Sequence, residues 1–166
     1  MTRRPRTVSG TAGPGLIGVR LVPTVLLADA DAGSCAMVRD ALLEGVGPSD
    51  LRTVASVHKL DDYLHHQGDH EDERTSPAPA LIVIDQDLPG NDDFDAVRSI
   101  KSNPHLRRIP VVVLARVPEP DQTAAAYDAG ANTVIAKPVT FLALVKLMKV
   151  FTAYWLEAAA LPPERA

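Results

Sequence analysis

The sequence predicts an α/β fold in which five parallel strands form one open, doubly wound sheet with helices on both faces. Three observations lead there. Short apolar runs alternate with helix-patterned stretches along the chain, as strand–helix units of a parallel sheet do. The runs Leu81-Ile82-Val83-Ile84 and Val111-Val112-Val113-Leu114 are continuously apolar and bounded by turn residues, which suits strands buried on both faces. The first, third and fifth runs end at ionisable residues, Asp29, Asp85 and Lys137. Open α/β sheets gather their ligands at that carboxyl edge.

Composition narrows the partners. The chain has 166 residues, 46% hydrophobic and 23% charged, enough for one domain with a sizeable core. Aromatics make up only 4%, so that core must be aliphatic. A net charge of -4, with neither half strongly basic, speaks against nucleic acid or anionic lipid as a direct partner. The single cysteine, Cys35, leaves no internal disulfide and no four-ligand zinc site, and falls in a helix as small core filler. No apolar run approaches the ~20 residues of a membrane span. Arg3, Arg4 and Arg6 imitate the start of a secretory signal, but Leu16-Ile17-Gly18-Val19 is too short and Arg20 breaks it. A cytoplasmic protein is expected.

The elements follow in order. Residues 1–22 are rich in Gly, Pro, Arg, Ser and Thr without a period and read as a flexible tail. Thr24-Val25-Leu26-Leu27-Ala28 is the first strand, ending at Asp29-Ala30-Asp31. Gly33-Ser34 opens a helix whose inner face is Met37, Val38, Ala41 and Leu42; Gly45, Gly47 and Pro48 stop it. A second strand over 51–57, nearer the sheet edge, leads to a short helix marked by Leu60, Tyr63 and Leu64. Residues 65–79 read as a polar, acidic loop. It holds His65, His66 and His70 beside Asp69, Glu71 and Asp72, a mixture that rarely makes a metal site when flexible. After the third strand, residues 92–102 give a helix with Phe94, Ala96, Val97 and Ile100 inward. The fourth strand ends at Ala115-Arg116, and Pro120-Asp121 starts a helix through Ala124, Ala125 and Ala129. Thr133-Val134-Ile135-Ala136 is the fifth strand, ending at Lys137-Pro138, and the last helix covers 140–160. The domain is expected to span 23–160, with a short tail at 161–166.

A strand order of 2-1-3-4-5 would bring Asp29, Asp85 and Lys137 together at one edge. Two adjacent carboxylates suit a Mg²⁺ ion, which accepts one or two carboxylates plus waters. A carboxylate also serves as a nucleophile toward phosphorus, with a cation neutralising the transferred oxygens. On that reading Asp85 is the acceptor, Asp29 a metal ligand and Lys137 the cationic partner. Asp87 would offer its backbone carbonyl, and Asp31 a weak extra donor. The same residues also fit a plain buried Asp85–Lys137 ion pair that only fixes the fold.

These strand–helix units, Ile84-Asp85-Gln86-Asp87-Leu88-Pro89-Gly90 and Lys137-Pro138 resemble the receiver domain of bacterial two-component response regulators. The likeness covers about residues 23–157. Residues 103–114, Thr152-Ala153-Tyr154-Trp155 and Leu161-Pro162-Pro163 are similar to the single-domain regulators paired with bacterial phytochromes and related sensor kinases. The resemblance implies a flavodoxin-like fold, phosphoryl transfer from a sensor histidine kinase to Asp85, Mg²⁺, and no separate output domain. It also implies a homodimer through the last helix.

Three positions depart from the family pattern. Ala30 stands where receivers carry the second acid of a pair, so Mg²⁺ binding should be weakened. Ala115 replaces the Thr or Ser hydroxyl that bonds the phosphoryl group, and Val134 replaces the switch aromatic. Switching is therefore expected to be impaired, with a phosphate-independent interaction module as the alternative. A phosphatase or dehalogenase would share the Asp nucleophile, and Asp87 has the spacing of its second Asp, but no cap domain is in sight. The last helix has more apolar residues than one sheet-facing stripe needs. Leu147, Phe151, Tyr154 and Trp155 are the candidate dimer residues; alternatively Tyr154 and Trp155 fold back over the domain.

Overall fold

The computed structural model describes residues 22–46 and 50–162. Five parallel strands form one sheet in the order β2-β1-β3-β4-β5. The strands are β1 (Thr24–Ala28), β2 (Asp50–Val54), β3 (Leu81–Asp85), β4 (Val111–Ala115) and β5 (Thr133–Ala136). Between and after them run α1 (Ala32–Val46), α2 (Val57–Leu64), α3 (Asp95–Ser102), α4 (Pro120–Asp128) and α5 (Phe141–Thr152).

Alternate strand residues point to opposite faces, so the apolar runs feed two cores. Leu26, Ile82, Ile84, Val111 and Val113 meet Leu60 and Tyr63 of α2, Val97 and Ile100 of α3, and Ala126 of α4. Val25, Leu27, Val83, Val112 and Leu114 meet Val38, Ala41 and Leu42 of α1 and Leu144, Val145, Met148 and Phe151 of α5. Burial on both faces explains why these strands show no polar alternation. Cys35 is buried in the second core, and burial pushes its thiol up, away from the reactive thiolate.

Several helix faces differ from the periodic reading. Met37 is exposed, and Cys35 takes its place beside Val38 on the inner face. In α4 the buried residues are Ala126 and Ala129, while Ala124 faces outward; a run of alanines gives periodicity too little contrast to fix the phase. The second strand stops at Val54, because the Ser56 hydroxyl caps α2 by accepting from the Lys59 amide at 3.2 Å. Val57 therefore starts a helix instead of ending a strand. α5 passes at Ala153 into a π-helical turn that runs to Ala158.

The stretch at 65–79 is tied down along its length. It contains a 3₁₀ turn, Gly68–His70. The Tyr63 hydroxyl donates to the Pro77 carbonyl at 2.9 Å, Arg52 donates to the Thr75 carbonyl at 2.8 Å, and His70 Nδ1 lies 3.0 Å from Ser76 Oγ. Its histidines and acids make no metal-binding cluster among the described residues. The N-terminal tail up to residue 21, the stop at Gly47 and Pro48, and residues 163–166 lie outside the described residues.

Candidate functional site

Register decides what meets at the carboxyl edge. β1 pairs with β3 through Ala28 and Ile84, so the next residues, Asp29 and Asp85, stand side by side. β4 pairs with β5 through Ala115 and Ala136, which sets Lys137 one step further out; its amide donates to the Ala115 carbonyl at 2.7 Å. From there the Lys137 ammonium donates to Asp29 Oδ2 at 2.7 Å and also to Asp85 Oδ2. Both carboxylates are nearly buried, at 5% and 8% exposure.

Each acid is held from a second side. Asp29 Oδ1 accepts from the Asp31 amide at 2.9 Å, and Asp29 Oδ2 accepts from the Ser34 hydroxyl at 2.6 Å. Asp85 Oδ1 accepts from the Asp87 amide at 2.8 Å. Burial acts to raise the Asp29 carboxyl, but the bonds from Lys137, Ser34 and the Asp31 amide outweigh it and hold it below the usual carboxylate range. Burial likewise acts to lower the Lys137 ammonium, and its two carboxylates outweigh that and raise it. Asp29 is thus anionic and Lys137 cationic across the neutral range.

Asp31 does not join them. Its Oδ1 accepts from the amides of Gly33 and Ser34 at 2.8 and 3.1 Å, which makes it the cap of α1. That oxygen is thereby committed to the start of α1. Ala30, between the two acids, is exposed and offers only a methyl. Ala115 is buried at the end of β4, and Val134 is half-buried in β5. The Asp87 carboxylate pairs outward with the Arg116 guanidinium at 3.0 Å. Sequence reasoning missed both the Ser34 bond and this pair; only the position of Arg116, directly after Ala115, hinted at the latter.

The family model for the response regulator receiver domain matches residues 25–149. The chain belongs to that family. Among curated relatives, the receiver is 37% identical over 100 residues to response regulator Rcp1 of Synechocystis sp., covering 60% of this chain and 66% of that one. It covers 50% of the second relative, a probable methanogenesis regulatory protein of Methanothrix harundinacea. The solved structure of the phosphorylated cyanobacterial phytochrome response regulator RcpA matches at 29% identity and a TM-score of 0.78, over 86% of this chain and 99% of that one. The Mn²⁺-bound form of Rcp1 matches at 30% identity and 0.75, over 85% and 99%. The strand order is the flavodoxin-like order of receivers.

Receivers bind Mg²⁺ or Mn²⁺ in this acidic pocket. The donors suited to such an ion here are the Asp29 and Asp85 carboxylates, each with lone pairs beyond those engaged above, and the Asp87 carbonyl. Two carboxylates completed by waters meet what Mg²⁺ asks of a protein. Phe151, a candidate dimer residue, is only 5% exposed and belongs to the core between α1 and α5. Leu147 and Trp155 are half-buried against that same core, whereas Val150 and Tyr154 face outward. Tyr154 packs edge-on against Trp155, ring centroids 5.0 Å apart.

The trio makes stability depend on pH at both ends. Asp29 is depressed in the folded state, so its contribution is present above its ordinary value of 3.8 and is lost as pH falls through the lower folded value. Lys137 is raised, so its contribution is present below 10.5 and lost as pH rises through the higher folded value. Denaturant unfolding across pH should show both losses. Lys137→Met should abolish the alkaline one and cost about 3–5 kcal/mol at pH 7, by leaving two buried carboxylates without their ammonium. An unchanged unfolding free energy in that variant would contradict the account.

Proposed function

We propose that this receiver acts as the response regulator of a two-component phosphorelay, with Asp85 as the phosphoacceptor. The observation that carries the reading is the convergence of Asp29, Asp85 and Lys137 in one nearly buried cluster. A carboxylate on a rigid strand end is a nucleophile that needs little reorganisation. Lys137 is in place to neutralise the oxygens of the incoming phosphoryl group. A divalent cation, when bound to Asp29, Asp85 and the Asp87 carbonyl, supplies further neutralisation of that charge. Its affinity is weakened because Ala30 contributes no carboxylate.

Switching is impaired on this reading. A ligand shifts a two-state equilibrium only by contacting the two states differently. Ala115 has no hydroxyl to contact the phosphoryl group, and Val134 has no ring to exchange between positions. The phosphate donor is a sensor histidine kinase, and the phytochrome-associated regulators among the relatives favour one of that type. The protein is cytoplasmic on this account; no helix among the described residues is long and apolar enough to cross a membrane.

The second reading is an interaction module that works without phosphate, and the loss of both switch positions favours it. Both readings share a homodimer through α5 and the turn after it, where Leu142, Val150 and Tyr154 are exposed. Sedimentation should give a dimer that Tyr154→Ala weakens by at least tenfold in dissociation constant. A wild-type monomer at tens of micromolar would remove the dimer from the account.

The decisive test of the phosphoacceptor is intact mass after incubation with Mg²⁺ and acetyl phosphate. The wild type should gain one phosphoryl mass and Asp85→Asn none. No gain in the wild type at high Mg²⁺ would leave the phosphate-independent reading.

A further inference from the structure

Arg116 lies on the edge that gathers the site, and no role has been given to it. β3 and β4 pair at Asp85 and Leu114, so two steps further the register sets Asp87 opposite Arg116. β4 and β5 pair at Ala115 and Ala136, so one step further sets Arg116 opposite Lys137. Arg116 thus stems from between the loops that carry the nucleophile and the ammonium. Its guanidinium already reaches back over the β3 side, to Asp87 Oδ2 at 3.0 Å. The amide of that same Asp87 donates to Asp85 Oδ1.

We propose that Arg116 is the phosphoryl-binding residue of this receiver, taking the place left by Ala115 and part of the charge left unmet by a thinned metal site. The inference rests on Asp85 being the phosphoacceptor. Charge favours it. Asp29 and Asp85 face a single ammonium, so the trio already holds one uncompensated negative charge, and a phosphoryl group adds to it. The nearest further cation in register is the Arg116 guanidinium, whose planar fork matches phosphate oxygens bidentately. Its present partner holds it weakly, because the pair is solvent-exposed, at 78% and 58% of the two side chains. A doubly charged phosphoryl group next to Asp87 outcompetes one exposed carboxylate. The guanidinium then moves from Asp87 to the phosphoryl oxygens by rotation of its own side chain.

The reaction itself balances simply. An Asp85 carboxylate oxygen bonds to phosphorus as the bridging acyl O–P bond of acetyl phosphate breaks. Acetate leaves with the electron pair, and no proton is needed.

The test compares the initial rate of phosphoryl mass gain from acetyl phosphate in the wild type, Arg116→Ala and Arg116→Lys, at low and saturating Mg²⁺. Arg116→Ala should be at least tenfold slower at low Mg²⁺ and closer to wild type at saturation. Arg116→Lys should fall between, since it keeps the charge and loses the fork. Melting temperatures near wild type are expected, because the Arg116 side chain is largely exposed. Equal rates in wild type and Arg116→Ala would overturn the role of Arg116 and leave Asp85 as acceptor. No mass gain in the wild type at any Mg²⁺ would overturn the acceptor reading, and this inference with it.

Discussion

One ammonium shared between two nearly buried carboxylates is the constraint on which the carboxyl edge depends. Lys137 closes a contact between residues 108 and 52 positions away in the chain, so the cluster exists only when β1, β3 and β5 hold their register. Without the ammonium, two carboxylates would face each other with little water to separate them, a costly arrangement. The cluster is therefore a fold-fixing ion pair and, on the proposed reading, the phosphoacceptor site as well. Those two readings of the sequence describe one set of bonds.

Around that centre the family plan is kept unevenly. On the proposed reading the nucleophile Asp85, its ammonium Lys137 and one metal acid, Asp29, remain, each seated by hydrogen bonds from its neighbours. The positions that would convert a phosphoryl group into a movement of α4 and β5 are a methyl at Ala115 and a small aliphatic side chain at Val134. Chemistry and transmission are separable in such a site, because accepting a phosphoryl group needs charge neutralisation. Transmitting its arrival needs a side chain with two alternative places to be.

Much of this was legible in the residues. The central strands announced themselves because burial on both faces leaves no room for polar alternation, and their terminal charges marked the site. Tertiary capping was harder to read. Asp31 looked like a spare metal donor, yet two amides of the first turn of α1 hold it, a competition that spacing alone does not reveal. Phe151 looked available for a partner, but α1 packs over it, and helix periodicity cannot say which of two adjacent apolar stripes meets the sheet. Ala126 of α4 and the Ser56 cap were missed for the same reason: local patterns with weak contrast are decided by what packs against them.

The central claim is that this receiver keeps the chemistry of phosphoryl capture while its coupling to α4 and β5 is broken. Amide hydrogen exchange with and without saturating beryllofluoride, a phosphoryl analogue, tests it most directly. The account predicts slower exchange confined to the segments after β1, β3, β4 and β5, around Asp29, Asp87, Arg116 and Lys137. Protection that changes throughout α4, β5 and the outer face of α5 would contradict it, and would mean that the switch works without the hydroxyl and the ring.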